Sequence, residues 1–211
     1  MPKEKACAGF TKVELLVIVV VVVILAGMLL PPRGGTRVKA GRIVCVNNLK
    51  NLGLSFRIFA TDHADQFPPA VLLTNALEIT KIDLLSVYLS LTNELSTPKV
   101  IYCPEDKKRK QAESFTTLST KNISYFVNLT ASELSPQMFL AGDRNLQTNG
   151  VTLNPGIVSI STNLSLSWSS DLHQNQGNIL MADGSVQQFS SSRLNQGLKD
   201  QEIATNYFAL P

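Results

Sequence analysis

Apolar and polar positions divide this chain into three stretches with different patterns. From Leu15 to Leu30 all sixteen residues are apolar or glycine, with no charge. A segment apolar on every face has no side to turn to water, so it predicts a membrane-embedded helix. Pro31-Pro32 follows directly, and two adjacent prolines predict a break in the helix. Beyond Gly34-Gly35 the pattern becomes one-sided. Cys45, Leu49, Leu52, Phe56 and Phe59 recur at alternating spacings of four and three, flanked by Val46, Gly53 and Ala60, while Lys50, Asn51 and Arg57 fall off the stripe. This predicts a second helix from about Val38 to Ala60, whose apolar stripe needs a partner, most naturally a sheet. Asp62-His63-Ala64-Asp65 ends it, and Phe67-Pro68-Pro69 prevents its continuation.

The remainder reads as short elements with frequent punctuation. Asp83 to Leu91 predicts a short helix with Asp83 as N-cap. Val100–Cys103, Ile123–Leu129, Met138–Ala141, Ile157–Trp168 and Ile179–Ala182 predict strands. Asp183-Gly184 predicts a two-residue type I′ turn, with Ser185 to Phe189 returning as a strand. Glu105 to Lys110 reads as a solvated charged loop, and Ser192 to Phe208 as a final short helix. The fold class expected is α+β, a long N-terminal helix packed on a small antiparallel sheet.

Composition sharpens this picture in a few respects. Over 211 residues the chain is 44% hydrophobic and 17% charged, a charge content lowered by the one apolar run. No second run approaches that length, which excludes a multi-pass membrane protein, and the apolar content excludes disorder. The net charge of +3 is scattered, so no nucleic acid is expected as a partner. Three cysteines and two histidines leave little room for a zinc site built from those ligands. His63, between two aspartates, reads as a solvated helix end rather than a metal ligand. There is no G-x-S-x-G elbow, no P-loop and no G-x-G-x-x-G, and the chain is read as a non-enzyme with no required cofactor.

The residues ahead of the apolar run carry the sharpest signal. A polar leader with Lys3 and Lys5 leads into Gly9-Phe10-Thr11-Lys12-Val13-Glu14. A secretory signal would place a small-residue cleavage site after the run, where Pro31-Pro32-Arg33 stands instead. A lipoprotein signal would place its cysteine after the run, whereas Cys7 precedes it. A plain anchor explains the run but not Glu14, a carboxylate that is costly near hydrocarbon and calls for a partner. A cut between Gly9 and Phe10 would create a free amine four residues from Glu14. In a bundle of such helices, Glu14 of one subunit could then neutralise the amine of its neighbour. The alternative is an ordinary flanking charge solvated at the headgroup level.

The segment from Gly9 to Val17 resembles the processing motif of type IV pilins and type II secretion pseudopilins. The resemblance implies that a prepilin peptidase removes residues 1–9 by cutting between Gly9 and Phe10 and methylates Phe10, and that Glu14 guides docking into a helical filament. It implies residues 10–31 as a transmembrane helix, 32–62 as an amphipathic stem and 63–211 as an extracytoplasmic α+β domain. The protein would sit in the bacterial inner membrane with a single pass and a periplasmic C-terminal part, its partners being prepilin peptidase, the membrane, and its own or other pilin-like subunits. Flanking charges oppose this orientation slightly, with Lys3, Lys5 and Lys12 before the run and Arg33, Arg37, Lys39 and Arg42 after it. The cleavage motif outweighs that difference.

A second resemblance lies near the C-terminus. His173 stands nine residues ahead of Asp183-Gly184. This is similar to the H-x9-DG motif of prepilin-type proteins abundant in planctomycetes and verrucomicrobia. Cys45-Val46-Asn47-Asn48-Leu49 and Tyr102-Cys103-Pro104 resemble other parts of those proteins. Removing the leader removes Cys7 and leaves two cysteines. Outside the cytoplasm Cys45 and Cys103 can pair, pinning the stem helix to the Val100–Cys103 segment, the alternative being two buried thiols. Some pseudopilins hold calcium in a C-terminal loop, and Asp143, Asp171 and Asp183 are the weak candidate ligands here, at spacings that match no EF-hand. The role of His173, Asp183 and Gly184 stays open. The reading is a pseudopilin-like structural subunit of a secretion or pilus-like filament. The alternatives are a tethered polysaccharide-binding module using an exposed Trp168, and an anchored enzyme.

Overall fold

The computed structural model describes residues 9–29, 36–76, 78–201 and 203–211, with side chains except at 36–39 and 75. The leader with Cys7, the Pro31-Pro32 break and Gly34-Gly35 lie outside the described residues. Two compact units are present, Met1–Arg37 and Val38–Pro211.

The first unit is built on helix α1, Lys12–Leu29, an 18-residue helix with no buried residue. At 1.5 Å per residue it is about 27 Å long, close to the roughly 30 Å hydrocarbon thickness of a bilayer. It is a helix long and apolar enough to cross a membrane. Its N-terminus is closed by a reciprocal cap. Thr11 donates its backbone N–H and hydroxyl to Glu14 Oε2, at 2.8 and 2.9 Å, and Glu14 N–H donates to Thr11 Oγ1 at 3.3 Å. This is a capping box, in which a Glu three residues into the helix closes a Thr-initiated first turn.

From Val38 on, α2, Thr36–Asp62, belongs to the second unit. Cys45, Leu49, Leu52, Phe56 and Phe59 are buried along one face, as their spacing predicts. A six-stranded antiparallel sheet lies against that face in the order β5-β9-β1-β2-β7-β8. Its strands are β1 (Tyr125–Asn128), β2 (Phe139–Asp143), β5 (Gly156–Ser161), β7 (Gly177–Met181), β8 (Val186–Phe189) and β9 (Thr205–Leu210). A three-stranded sheet comprises β3 (Leu146–Thr148), β4 (Val151–Thr152) and β6 (Leu166–Trp168). Side chains alternate across the large sheet. Tyr125, Val127 and Leu180 join the α2 core, whereas Phe126, Ile179 and Met181 join a second core with Trp168 and with Leu194 and Leu198 of α5, Ser191–Lys199. The large sheet is thus covered on both faces, which is why its central strands are buried throughout. Two further helices, α3 (Pro68–Ala76) and α4 (Leu84–Ser90), contribute to the α2 side of the core.

Several local expectations are corrected. Val100–Cys103 is not a strand: a 3₁₀ turn spans Pro98–Ile101, because Pro98 fixes the backbone and Thr97 Oγ1 accepts from Lys99 N–H. The Ile157–Trp168 segment is two strands in different sheets, divided by a turn in which Leu164 N–H donates to Ser161 O at 2.9 Å. As expected, α2 ends at Asp62 and does not continue through Phe67-Pro68-Pro69; Pro68 instead opens the new helix α3, since a first-turn proline leaves no helical donor unmade. Asp83 precedes α4 without a side-chain cap bond. The tail is α5 followed by β9, which inserts between β5 and β1 and pairs on both sides. At Asp183-Gly184 only Gly184 has positive φ, and Met181 and Ser185 close a three-residue loop around it, so the turn is a type I turn with a bulge glycine. The two-residue turn with both central φ positive occurs at Asn149-Gly150, between β3 and β4.

Candidate functional site

The H-x9-DG segment meets α2 at both of its ends. Cys45 of α2 and Cys103 form a disulfide with a Cα–Cα distance of 5.0 Å, tying the helix to the segment after the Pro98–Ile101 turn. The His173 ring is buried against it, with Nε2 3.5 Å from Cys103 Sγ and 3.4 Å from Asp143 Oδ2. Asp143, at the end of β2, is wholly buried and accepts from the Asn178 backbone N–H at 2.6 Å and side-chain amide at 2.9 Å. Tyr125 lies under this cluster and donates its hydroxyl to Cys45 O at 3.4 Å. Burial, reinforced by the Asp143 charge, holds its phenol well above the usual tyrosine range.

The backbone carrying His173 is unusual. His173, Gln174 and Asn175 have φ of 50°, 56° and 60°, three successive left-handed residues without a glycine. Each ordinary residue in that region costs about 1–2 kcal/mol, asparagine less. Such a segment persists only where its surroundings over-determine it. Arg42 of α2 does so from one side, donating to His173 O and, at 2.8 Å, to Gln176 Oε1. Buried Asn145 does so from within, its amide donating to the carbonyls of Ser169, Leu172 and Gln176 at 2.9, 3.2 and 3.3 Å.

At the other end of the segment the β7–β8 hairpin reaches α2 again. Arg57 Nη1 donates to Asp183 O at 3.4 Å, and Asp183 Oδ1 accepts from Ser185 N–H at 2.8 Å. Between the two contacts Gly53 allows close approach of the strand, since a Cβ there would lie 2.6 Å from Leu180 Cδ1. From Arg42 to Arg57 α2 rises about 22 Å; β7, Gly177–Met181, spans about 13 Å of that, with the His173 loop and the turn at Asp183-Gly184 beyond its two ends. His173 and Asp183 are the two ends of a clasp that lays β7 along α2.

The remaining sequence candidates fall elsewhere. Gly9, Phe10 and Glu14 belong to the first unit, with Phe10 exposed and Glu14 in its capping box. Asp171 pairs with Lys108 at 2.5 Å, and Asp183 serves its turn. Asp143, Asp171 and Asp183 do not converge; among the described residues, the group of potential ligands that does is Cys45, Cys103 and His173, with ligand atoms within 4.8 Å of one another. His63 stacks on Phe59, ring centroids 3.8 Å apart. Trp168 is not an exposed binding residue: it is 1% exposed, because β6 turns it into the second core. The Glu105–Lys110 segment is not wholly solvated either. Asp106 is buried and takes two bonds of 2.6 Å from buried Arg144. Arg42, Asn145, Asn178, Asp106 and Arg144 are the residues sequence reasoning missed. Each is a polar residue whose partner lies far along the chain, and no local pattern marks it.

Comparison with models of known protein families, with characterised proteins and with solved structures returned no match.

Proposed function

We propose that this chain is a structural subunit of the pseudopilin type, cut between Gly9 and Phe10 by a prepilin peptidase and assembled through α1 into a membrane-anchored filament. It is inserted in the bacterial inner membrane by α1, carries the Val38–Pro211 unit outside the cytoplasm, and does no catalysis of its own. The observation that carries this reading is α1 itself. Beyond its first turn it is apolar on every face, it has no buried residue, and it bears Glu14 as the acid of that first turn, four residues after Phe10. A bare apolar helix needs lipid or other helices around it, and a carboxylate at its head needs a cation there. The amine created at Phe10 is such a cation, supplied by a neighbouring subunit. The Cys45–Cys103 disulfide agrees with an oxidising compartment for the second unit.

The capping box sets the terms of the test. Glu14→Ala removes both cap and charge, whereas Glu14→Gln keeps a cap acceptor and removes only the charge. Cross-linking of membranes expressing each variant reads assembly. Charge pairing predicts that both variants lose the cross-linked ladder. A ladder retained in Glu14→Gln would make Glu14 a cap alone and contradict the assembly role.

A further inference from the structure

The two edges of the large sheet differ in a way the proposed function leaves unused. Natural sheets guard an edge with charge, proline or a bulge, because its unpaired N–H and C=O groups are a template for another strand. β8, at one edge, has Arg193 against it. The Arg193 guanidinium donates to Gln187 Oε1 at 2.6 Å and lies 4.9 Å over the Phe189 ring. β5, at the other edge, has none of these devices. Gly156–Ser161 holds no charge and no proline, and pairs with β9 residue for residue without a bulge. Among the described residues no strand lies on its other side. β9 is uncharged as well.

The pairing with β9 fixes which backbone groups point outward. Thr162 N–H donates to Ala204 O at 3.2 Å, one step past the Ser161–Thr205 pair. Tyr207, opposite Ser159, gives its carbonyl to Leu129 on the β1 side. Hydrogen bonding alternates along an antiparallel strand. Gly156, Val158 and Ile160 therefore bond to β9, whereas Ile157, Ser159 and Ser161 turn their N–H and C=O groups away from the sheet. The Ser161 carbonyl accepts from Leu164 N–H at 2.9 Å. The three N–H groups and the other two carbonyls have no protein partner among the described residues.

We propose that β5 is a self-pairing edge, to which β5 of a second copy of this chain adds antiparallel about a two-fold axis at Ser159. Another extended backbone is what matches such a row of groups, and a two-fold axis makes the edge its own complement. Centring on Ser159 sets Ile157 opposite Ser161 of the second copy. Every outward N–H then finds a carbonyl within β5 itself, the Ser161 carbonyl using its second lone pair. Pro155, which lacks an N–H, stays outside the pairing. Neither strand carries a charge, so no like charges meet. Two six-residue edges bury less than the roughly 1,200 Å² of a stable interface, so the pair is weak between free molecules. Copies held in one bilayer by α1 meet at a raised effective concentration, and there the pair forms. The proposal shares membrane residence with the proposed function and needs neither the cut after Gly9 nor the charge of Glu14.

The test uses the full chain in membranes of the expressing host, carrying Cys7→Ser so that an introduced cysteine is the free thiol beside the Cys45–Cys103 disulfide. The probe is a bis-methanethiosulfonate just long enough to join directly opposed residues, whose Cα atoms lie about 5.5 Å apart in a hydrogen-bonded pair. Ser159→Cys should give a cross-linked dimer, and should do so equally in a Glu14→Gln chain. Ser161→Cys alone should give none, because the two-fold sets its copies about 13 Å apart. Co-expressed with Ile157→Cys chains, it should give the mixed dimer. Gln188→Cys, on β8, should give none. Adding Ser161→Pro to Ser159→Cys should remove the dimer and leave the melting temperature close to its parent's, since the lost N–H serves no bond within the chain. The proposal is overturned if Ser159→Cys yields no dimer, or if Ser161→Cys alone cross-links as well as Ser159→Cys. It is equally overturned if the Ser161→Pro chain, folded by its melting temperature, still dimerises, or if Ser159→Cys joins a different protein in place of a second copy. A Ser159 dimer that vanishes with Glu14→Gln would belong to assembly through α1 and would overturn it too, whereas a dimer that outlasts the α1 ladder supports β5 pairing on its own.

Discussion

Gln174→Gly should stabilise the Val38–Pro211 unit, although glycine usually destabilises what it enters. Gln174 is exposed, and its φ of 56° lies in the left-handed region. Relieving that conformation returns about 1–2 kcal/mol. Glycine's greater freedom in the unfolded chain takes back about 0.4–1 kcal/mol. The net expectation is a gain of about 0.5–1 kcal/mol, seen in urea unfolding of the unit as a midpoint raised by roughly 0.2–0.5 M with unchanged slope. His173→Gly relieves the same backbone strain but should lower stability, because Asp143 loses its buried neighbour at a cost of about 1–3 kcal/mol. The contrast separates strain from contact at adjacent positions. A loss of stability in Gln174→Gly would refute the left-handed turn and with it the clasp geometry.

Other parts of the fold make predictions of their own. Asp106→Ala should destabilise by about 3–5 kcal/mol, because Arg144 is left buried without its partner, whereas the double variant Asp106→Leu/Arg144→Met should recover most of that loss in the same urea assay. Loss of the disulfide, by Cys45→Ala/Cys103→Ala, should cost about 4 kcal/mol for a loop with a sequence separation of 58, read from the same denaturation midpoint. Tyr88 and Tyr125 are wholly buried, and burial raises both phenol pKa values. Above about pH 10 the unfolded chain gives up both protons while the folded chain keeps them. Stability is therefore intact below that pH and falls above it, by about 1.4 kcal/mol per pH unit for each tyrosine, a slope that Tyr88→Phe should reduce by its share.

Periodicity made the helical part of the fold legible. The spacing from Cys45 to Phe59 identified the buried face of α2, and the unbroken apolar run identified α1. Strand positions were legible where apolar residues cluster, as at Tyr125–Asn128 and Gly177–Met181, but not where pairing decides. β9 is a strand because it lies between β5 and β1, and nothing in Thr205–Leu210 alone outweighs the helical pattern just before it. The same limit applies to the site. His173 and the two cysteines stood out as chemistry, yet their meeting depends on a left-handed loop fixed by Arg42 and Asn145, which lie far from it in sequence. The turn at Asp183-Gly184 was located correctly and its type was not, since loop length is set by the register of β7 on β8.

The central claim is that α1 is a processed assembly helix, and the most direct test is the intact mass and N-terminal residue of the protein purified from its native membrane. The account predicts a chain that begins at N-methylated Phe10. A chain that retains residues 1–9 in a host with active prepilin peptidase would contradict it.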